Sequence, residues 1–393
     1  MVTSAERLRA YQGPALFSYG FRPFFLGGAL WAALTMAAFI IALTGAIAIP
    51  SAMPPTVWHA HELLYGFLPA IVAGFILTAV PNWTGRLPIA GWPLAGLAGL
   101  WLAGRIAIAF SGVIGAGMAA AIDAAFLLVL IAVIGREIVA GGNTRNLKVL
   151  VLIGLLFAGN AAFHAEFMAQ GFADYGNRVG IGAAVMLIVV IGGRIVPSFT
   201  RNWLVRENPG GLPAPMDRFD IAAILVAAAA IAAWVAAPLN AVTGALLALA
   251  GALHLGRLAR WRGWRTFAEP LVTVLHLGYA FIPLGFAVLA LSVFSPAIIP
   301  PSSAVHGWTA GAVGVMTLAV MTRASLGHTG GALTASPAIV AIYAAVTLGA
   351  LARLVSGLGI MHEPMLHLAA LGWMGAFAGF VFVFAPHLLC AQS

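Results

Sequence analysis

The sequence predicts an all-α fold, a polytopic transmembrane helical bundle of about 12 spans with both termini cytoplasmic. Three observations predict it. The 393 residues are 62% hydrophobic and only 8% charged, with a mean hydropathy of +1.02, whereas a soluble domain carries roughly a quarter charged residues. Apolar runs of about 18 or more residues recur along the whole chain, each long enough to cross a hydrocarbon core of about 30 Å as a helix. Lysine and arginine gather in alternate breaks between those runs.

The first apolar run follows Phe24 and reads as an uncleaved helix, because the twenty residues before it are too polar for a secretory signal. Spans are expected over residues 24–48, 58–80, 92–111, 114–136, 147–169, 179–199, 219–238, 241–258, 268–294, 305–327, 335–356 and 363–386. The breaks "PNWTGRLP", "GGNTRN", "RENPGGLPAPMDR", "RWRGWR", "SPAIIPPSS" and "GHTGG" supply the Gly, Pro and Asn that end helices. This gives a cytoplasmic N-terminal segment (1–22), a single transmembrane domain (23–390) and a short tail (391–393).

Orientation follows from the cations. Arg7, Arg9 and Arg22 precede span 1. The breaks after spans 2, 4, 6 and 8 carry Arg86, then Arg136, Arg145 and Lys148, then Arg201, Arg206 and Arg218, then Arg257, Arg260, Arg262 and Arg265. Arg323 closes span 10, and the opposite breaks hold only Arg178. The positive-inside rule therefore places both ends in the cytoplasm. The net charge of +8 reads as topology and not as nucleic-acid binding. "RLARWRGWR" (257–265) reads as a charge anchor near anionic lipid. Thr84, Thr200 and Thr322, at the ends of spans 2, 6 and 10, hint at a repeated four-helix unit, although similar cytoplasmic ends would arise without one.

With sides assigned, six of the ten histidines fall in one outer layer. They are His59 and His61 at the start of span 2, His164 near the end of span 5, His306 at the start of span 10, and His362 and His367 at the start of span 12. Glu62, Glu166 and Glu363 lie within two residues of these sites and are the candidate proton-relaying, catalytic carboxylates. A single interfacial histidine is commonly an anchor or a cap, but ionisable residues gathered inside a membrane mark function. Imidazole ligates iron, copper and zinc, so all six histidines are candidate metal or haem ligands. At about 100° per residue, His59 and His61 project about 200° apart, so they serve two centres or one of them bends into the preceding loop. His59 and Glu62 share a face, and Glu62 is expected to accept the other ring N–H of His59. Arg105, Arg178 and Arg353 could pair haem propionates or simply snorkel. Asp123, within span 4, is a relay candidate or the partner of an arginine such as Arg105. The lone cysteine, Cys390, excludes an internal disulfide and a CxxCH haem attachment, so any haem is held non-covalently.

The stretches "GFRPFFLGGALWA" (20–32), "WHAHELLYGFLPAIVAGFILTAVPNWTGR" (58–86), "IGGRIVPSFTRNWL" (191–204) and "GAVGVMTLAVMTRASLGHTG" (311–330) resemble the NnrS family of bacterial membrane proteins. The resemblance implies a haem- and copper-containing protein of the bacterial inner membrane that meets nitric oxide in denitrification or nitrosative stress. A b-type haem and copper are the expected cofactors, with the metal site toward the periplasmic face. The partners are then nitric oxide, the lipid bilayer and a quinol or cytochrome electron donor. Reduction of NO to N2O is the leading expectation. Non-catalytic NO binding or iron protection is the first alternative. Transport of a metal or small anion is the second, disfavoured because carriers place polar residues near the midplane.

Overall fold

The computed structural model describes residues 11–390; Arg7, Arg9 and the 391–393 tail lie outside the described residues. Among these residues every element is helical, and twelve helices are long and apolar enough to cross a membrane. They are α1 (Phe21–Leu43), α2 (Pro55–Pro81, with a last turn to Thr84), α3 (Trp92–Ala109), α4 (Ala116–Ala140), α5 (Thr144–Gln170), α6 (Asp174–Glu207), α7 (Arg218–Ala236), α8 (Ala241–Arg265), α9 (Pro270–Phe294), α10 (Pro301–His328), α11 (Pro337–Gly357) and α12 (His362–Leu389). All twelve expected spans are present, with ends shifted by a few residues.

The ends follow local rules. Proline stands in the first turn of α2, α3, α9 and α11, where its missing N–H costs no helical bond. Left-handed Gly85 and Gly171 close α2 and α5. The helices form two compact units. One holds the chain through Ala183, Arg323–Ala332 and the chain from Phe377 on; the other holds Ala184–Thr322 and Leu333–Ala376. Trp92 is 89% exposed, as an interfacial ring would be, whereas Trp58, Trp261 and Trp308 are buried and pack the interior instead of forming a belt.

Three spans contain a widened π-helical turn: α2 at Glu62–Phe67, α6 at Ile188–Gly192 and α10 at Gly307–Val313. The α2 and α10 turns begin 245 positions apart, and that offset recurs throughout the two helices. It relates His61 to His306 and the left-handed caps Gly85 (φ 69°) and Gly330 (φ 71°). It also relates Thr84 to Thr329, whose hydroxyls each donate to the carbonyl four residues back, at 2.8 and 2.7 Å. Gly104 and Gly349, again 245 apart, sit where α3 and α11 each cross the span that follows. The π-helical turns, histidines and glycines thus correspond between α2 and α10 at an offset that matches Thr84 with Thr329, a different register from the Thr84, Thr200 and Thr322 spacing.

Candidate metal centre

Five helices of the first unit bring polar side chains to one buried point. Their positions on the chain explain the convergence. His61 lies six residues after the start of α2, Asp123 seven after the start of α4, Arg105 four before the end of α3 and His164 six before the end of α5. At 1.5 Å per residue all four lie roughly 6–11 Å inside the same set of helix ends. Those ends face the breaks that lack lysine and, apart from Arg178, arginine.

His61, Asp123 and His164 form a group whose ligand atoms all lie within 4.8 Å of one another, every one of them buried. His61 Nε2 is 3.2 Å from His164 Nε2 and 3.4 Å from Asp123 Oδ2. His164 Nε2 is 3.0 Å from Asp123 Oδ2. Around this triangle lies a second set of contacts. Glu62 Oε1 is 3.0 Å from His61 Nδ1 and accepts from Arg105 Nη1 at 2.6 Å. Its other oxygen accepts from the Trp31 indole N–H at 2.6 Å. Arg105 Nη2 is paired with Asp123 Oδ1. Asn160 Nδ2 donates to Asp123 Oδ2 at 2.7 Å, and Asn160 Oδ1 is 3.3 Å from His61 Nε2. Below His61, Tyr65 donates to the Gly176 carbonyl at 2.7 Å and packs edge-on against Phe163.

Charge selects a cation here. Two carboxylates face one guanidinium, and the two imidazoles bring no formal charge when neutral. The spacing also suits an ion. Metal–ligand bonds of roughly 2.0–2.2 Å hold neighbouring donors about 2.9–3.6 Å apart, which brackets the 3.0, 3.2 and 3.4 Å found. A porphyrin plane does not fit between His61 Nε2 and His164 Nε2 at that separation, so the two do not hold a haem as a pair.

The other sequence-derived candidates are placed as follows. His59 is half-buried and stacks on Phe39 with ring centroids 4.0 Å apart. Glu62, expected to orient His59, is held instead by His61, Arg105 and Trp31, which together occupy both of its oxygens. Glu166 accepts the backbone N–H groups of Tyr175 and Gly176 at 3.1 and 2.7 Å, capping the start of α6. Arg178 is half-buried in the same unit. In the second unit His306 is half-buried, His362 Nδ1 is 3.1 Å from the Ser356 hydroxyl, and Glu363 and His367 are exposed. Arg353 is half-buried there, and its Nη1 is buried without a hydrogen-bond partner. Arg105, expected as a propionate partner, is paired through its two Nη atoms with Glu62 and Asp123, while its Nε is buried without a hydrogen-bond partner. Asn160 and Trp31 escaped the sequence reading. Asn160 had a signal, since it lies four residues before His164 and so on the same helix face; Trp31 had none.

Comparison with curated proteins gives no match. The family comparison does: residues 15–391 match NnrS (NnrS protein), nearly the whole chain from end to end, and the protein belongs to the NnrS family.

Proposed function

We propose that this protein is a metal-centred nitric oxide reductase-like membrane protein, with His61, Asp123 and His164 holding a redox-active ion at which NO is bound and reduced. The observation that carries the reading is the buried His–Asp–His triangle, in a family whose members the sequence resemblance ties to NO, haem and copper. The overall reaction is 2 NO + 2 H⁺ + 2 e⁻ → N2O + H2O, with a quinol or cytochrome supplying the electrons. The ion would supply a Lewis-acidic centre able to exchange electrons with NO.

The chain's own residues do the rest. Glu62 fixes the orientation of His61 by accepting the Nδ1 hydrogen, which leaves the Nε2 lone pair for the ion. Arg105 and Trp31 hold Glu62 in place, and Asn160 does the same for Asp123. With three donors on it, Glu62 acts as an acceptor and an anchor. Proton delivery then falls to groups outside this set, with Glu166 as the sequence-derived candidate of the same unit. In the second unit His306, His362 and His367, with Arg353, remain the groups from which a non-covalent b-type haem would be held, and no step is routed through it. The positive-inside pattern orients the centre toward the periplasmic side of a bacterial inner membrane.

The test is metal analysis and an absorption spectrum of the purified protein, followed by anaerobic NO consumption with a reductant. Metal with NO loss and N2O formation supports the reading. NO bound without turnover moves the protein to the capture function, and a protein with neither haem nor a bound transition metal sinks both.

A further inference from the structure

The family resemblance implies copper, yet the three donors in the first unit are not arranged as copper(II) favours. We infer that the ion held by His61, Asp123 and His164 is ferrous, non-haem iron. This inference rests on the metal-centred reading above and names its metal.

Donor chemistry is the first argument. Copper(I) is selected by thiolate and thioether sulfur, whereas this triangle is two imidazole nitrogens and one hard carboxylate oxygen. The only cysteine, Cys390, is exposed near the end of the chain and takes no part. Geometry is the second. Copper(II) favours a square or tetragonal plane. Any three donors in such a plane include a trans pair about 4 Å apart, given bonds of roughly 2.0 Å. Here the longest of the three separations is 3.4 Å and the shortest 3.0 Å, so all three donors are mutually cis and occupy one face. Two histidines and one carboxylate on one face, with the opposite face open, is the arrangement that suits iron(II). Tetrahedral zinc would satisfy the same three distances, but zinc has no second oxidation state and cannot pass electrons to NO.

The surrounding contacts support the same assignment. Asp123 presents Oδ2 to both imidazoles while its Oδ1 is committed to Arg105. It is thereby held to one ligand oxygen. Among the described residues the positions of α10 and α12 at the offset that relates α2 to α10 do not repeat the group. His306 matches His61, but Gly307 stands for Glu62 and Leu368 for Asp123 at the same 245-residue offset.

The experiment uses full-length protein purified anaerobically in detergent. Total iron, haem iron by pyridine haemochrome, copper and zinc are counted in wild type, His164→Ala, Asp123→Ala and His59→Ala. Low-temperature EPR is recorded after adding NO to the reduced protein. The expected result is about one iron per chain in excess of haem, an EPR signal of a high-spin non-haem iron nitrosyl, and loss of both by at least about tenfold in His164→Ala and Asp123→Ala. His59→Ala keeps them. Stoichiometric copper that disappears in the same two variants overturns iron but keeps the metal-centred reading. Stoichiometric zinc overturns iron and the redox reading together. Metal content unchanged in His164→Ala, with helical circular dichroism intact, overturns the site itself. If Asp123→Ala does not fold, His164→Ala and the wild-type nitrosyl spectrum still decide.

Discussion

Arg105 binds two carboxylates at once inside a membrane helix, and that double role makes it the costliest residue of the centre to disturb. Its guanidinium is 2% exposed and faces Glu62 and Asp123 from the third span. Removing one partner of a buried ion pair leaves an uncompensated charge, a loss of roughly 3–5 kcal/mol. In Asp123→Asn the Arg105 charge is still met by Glu62, so the expected stability loss is that of a charged hydrogen bond, roughly 1.5–3 kcal/mol, together with release of the ion. His59→Ala, which removes only the stack on Phe39, should lower stability far less and leave the ion in place. Differential scanning fluorimetry with metal analysis of the same samples separates the two effects. At this scale the sequence was legible where chemistry is rare. His61 and His164 stood out because imidazoles are uncommon in lipid, and Asp123 with Arg105 because opposite charges in neighbouring spans must find each other. The pairing of Glu62 was not legible, since it is set by Arg105 and Trp31, which reach it from two other helices. His306, His362 and His367 were grouped with the others on axial depth alone, and depth does not say which helices a fold brings together.

At the scale of the element, the widened turn in α2 has a price in packing tolerance. Gly66 lies inside it, directly against the ion pair. A Cβ there would clash with Arg105 Nη1 and stand 2.8 Å from Glu62 Oε2. Gly66→Ala is expected to destabilise the protein by roughly 1–3 kcal/mol through overpacking and to weaken metal binding, because Arg105 must move away from Glu62. Gly96, where an added Cβ meets nothing within 4 Å, is the control: Gly96→Ala should retain both metal and melting temperature. Helix ends offer a second test. Asp217 caps α7, accepting the N–H groups of Phe219 and Asp220 at 3.0 and 3.4 Å, and is gripped by Arg260 at 3.0 and 2.5 Å. The Arg260 hydrogen bonds, with the cap contacts, pull its carboxyl from the usual 3.8 down to about 2. A depressed carboxylate stabilises the folded state above its unfolded value. The contribution of the Asp217 charge is thus fully present above about pH 4 and disappears as pH falls through about 2. Melting curves of wild type and Asp217→Asn, which keeps a capping oxygen, should differ near neutral pH and converge at about pH 2.

For the whole molecule, twelve spans were legible because a hydrophobic run of the right length has few other uses, and all twelve are helices. The division into two compact units was not legible. It cuts through α6, α10 and α12 and depends on contacts between residues far apart in sequence. What the sequence does state strongly is the side on which each end lies, and the chain carries a reporter for it. Cys390 is the only cysteine, it is exposed, and it sits at the end of α12. Its backbone carbonyl accepts from Arg22 Nη1 at 2.9 Å, so the end of α12 meets the start of α1, and Arg22 belongs to the cationic segment before span 1. The described ends therefore lie on one side of the membrane, and the expectation from the positive-inside rule is that this side is the cytoplasm. A membrane-impermeant maleimide should label Cys390 in inside-out vesicles and leave it unlabelled in right-side-out spheroplasts until detergent is added. Labelling of intact spheroplasts would invert the topology, and with it the proposed periplasmic placement of His61, Asp123 and His164, which lie near the opposite helix ends.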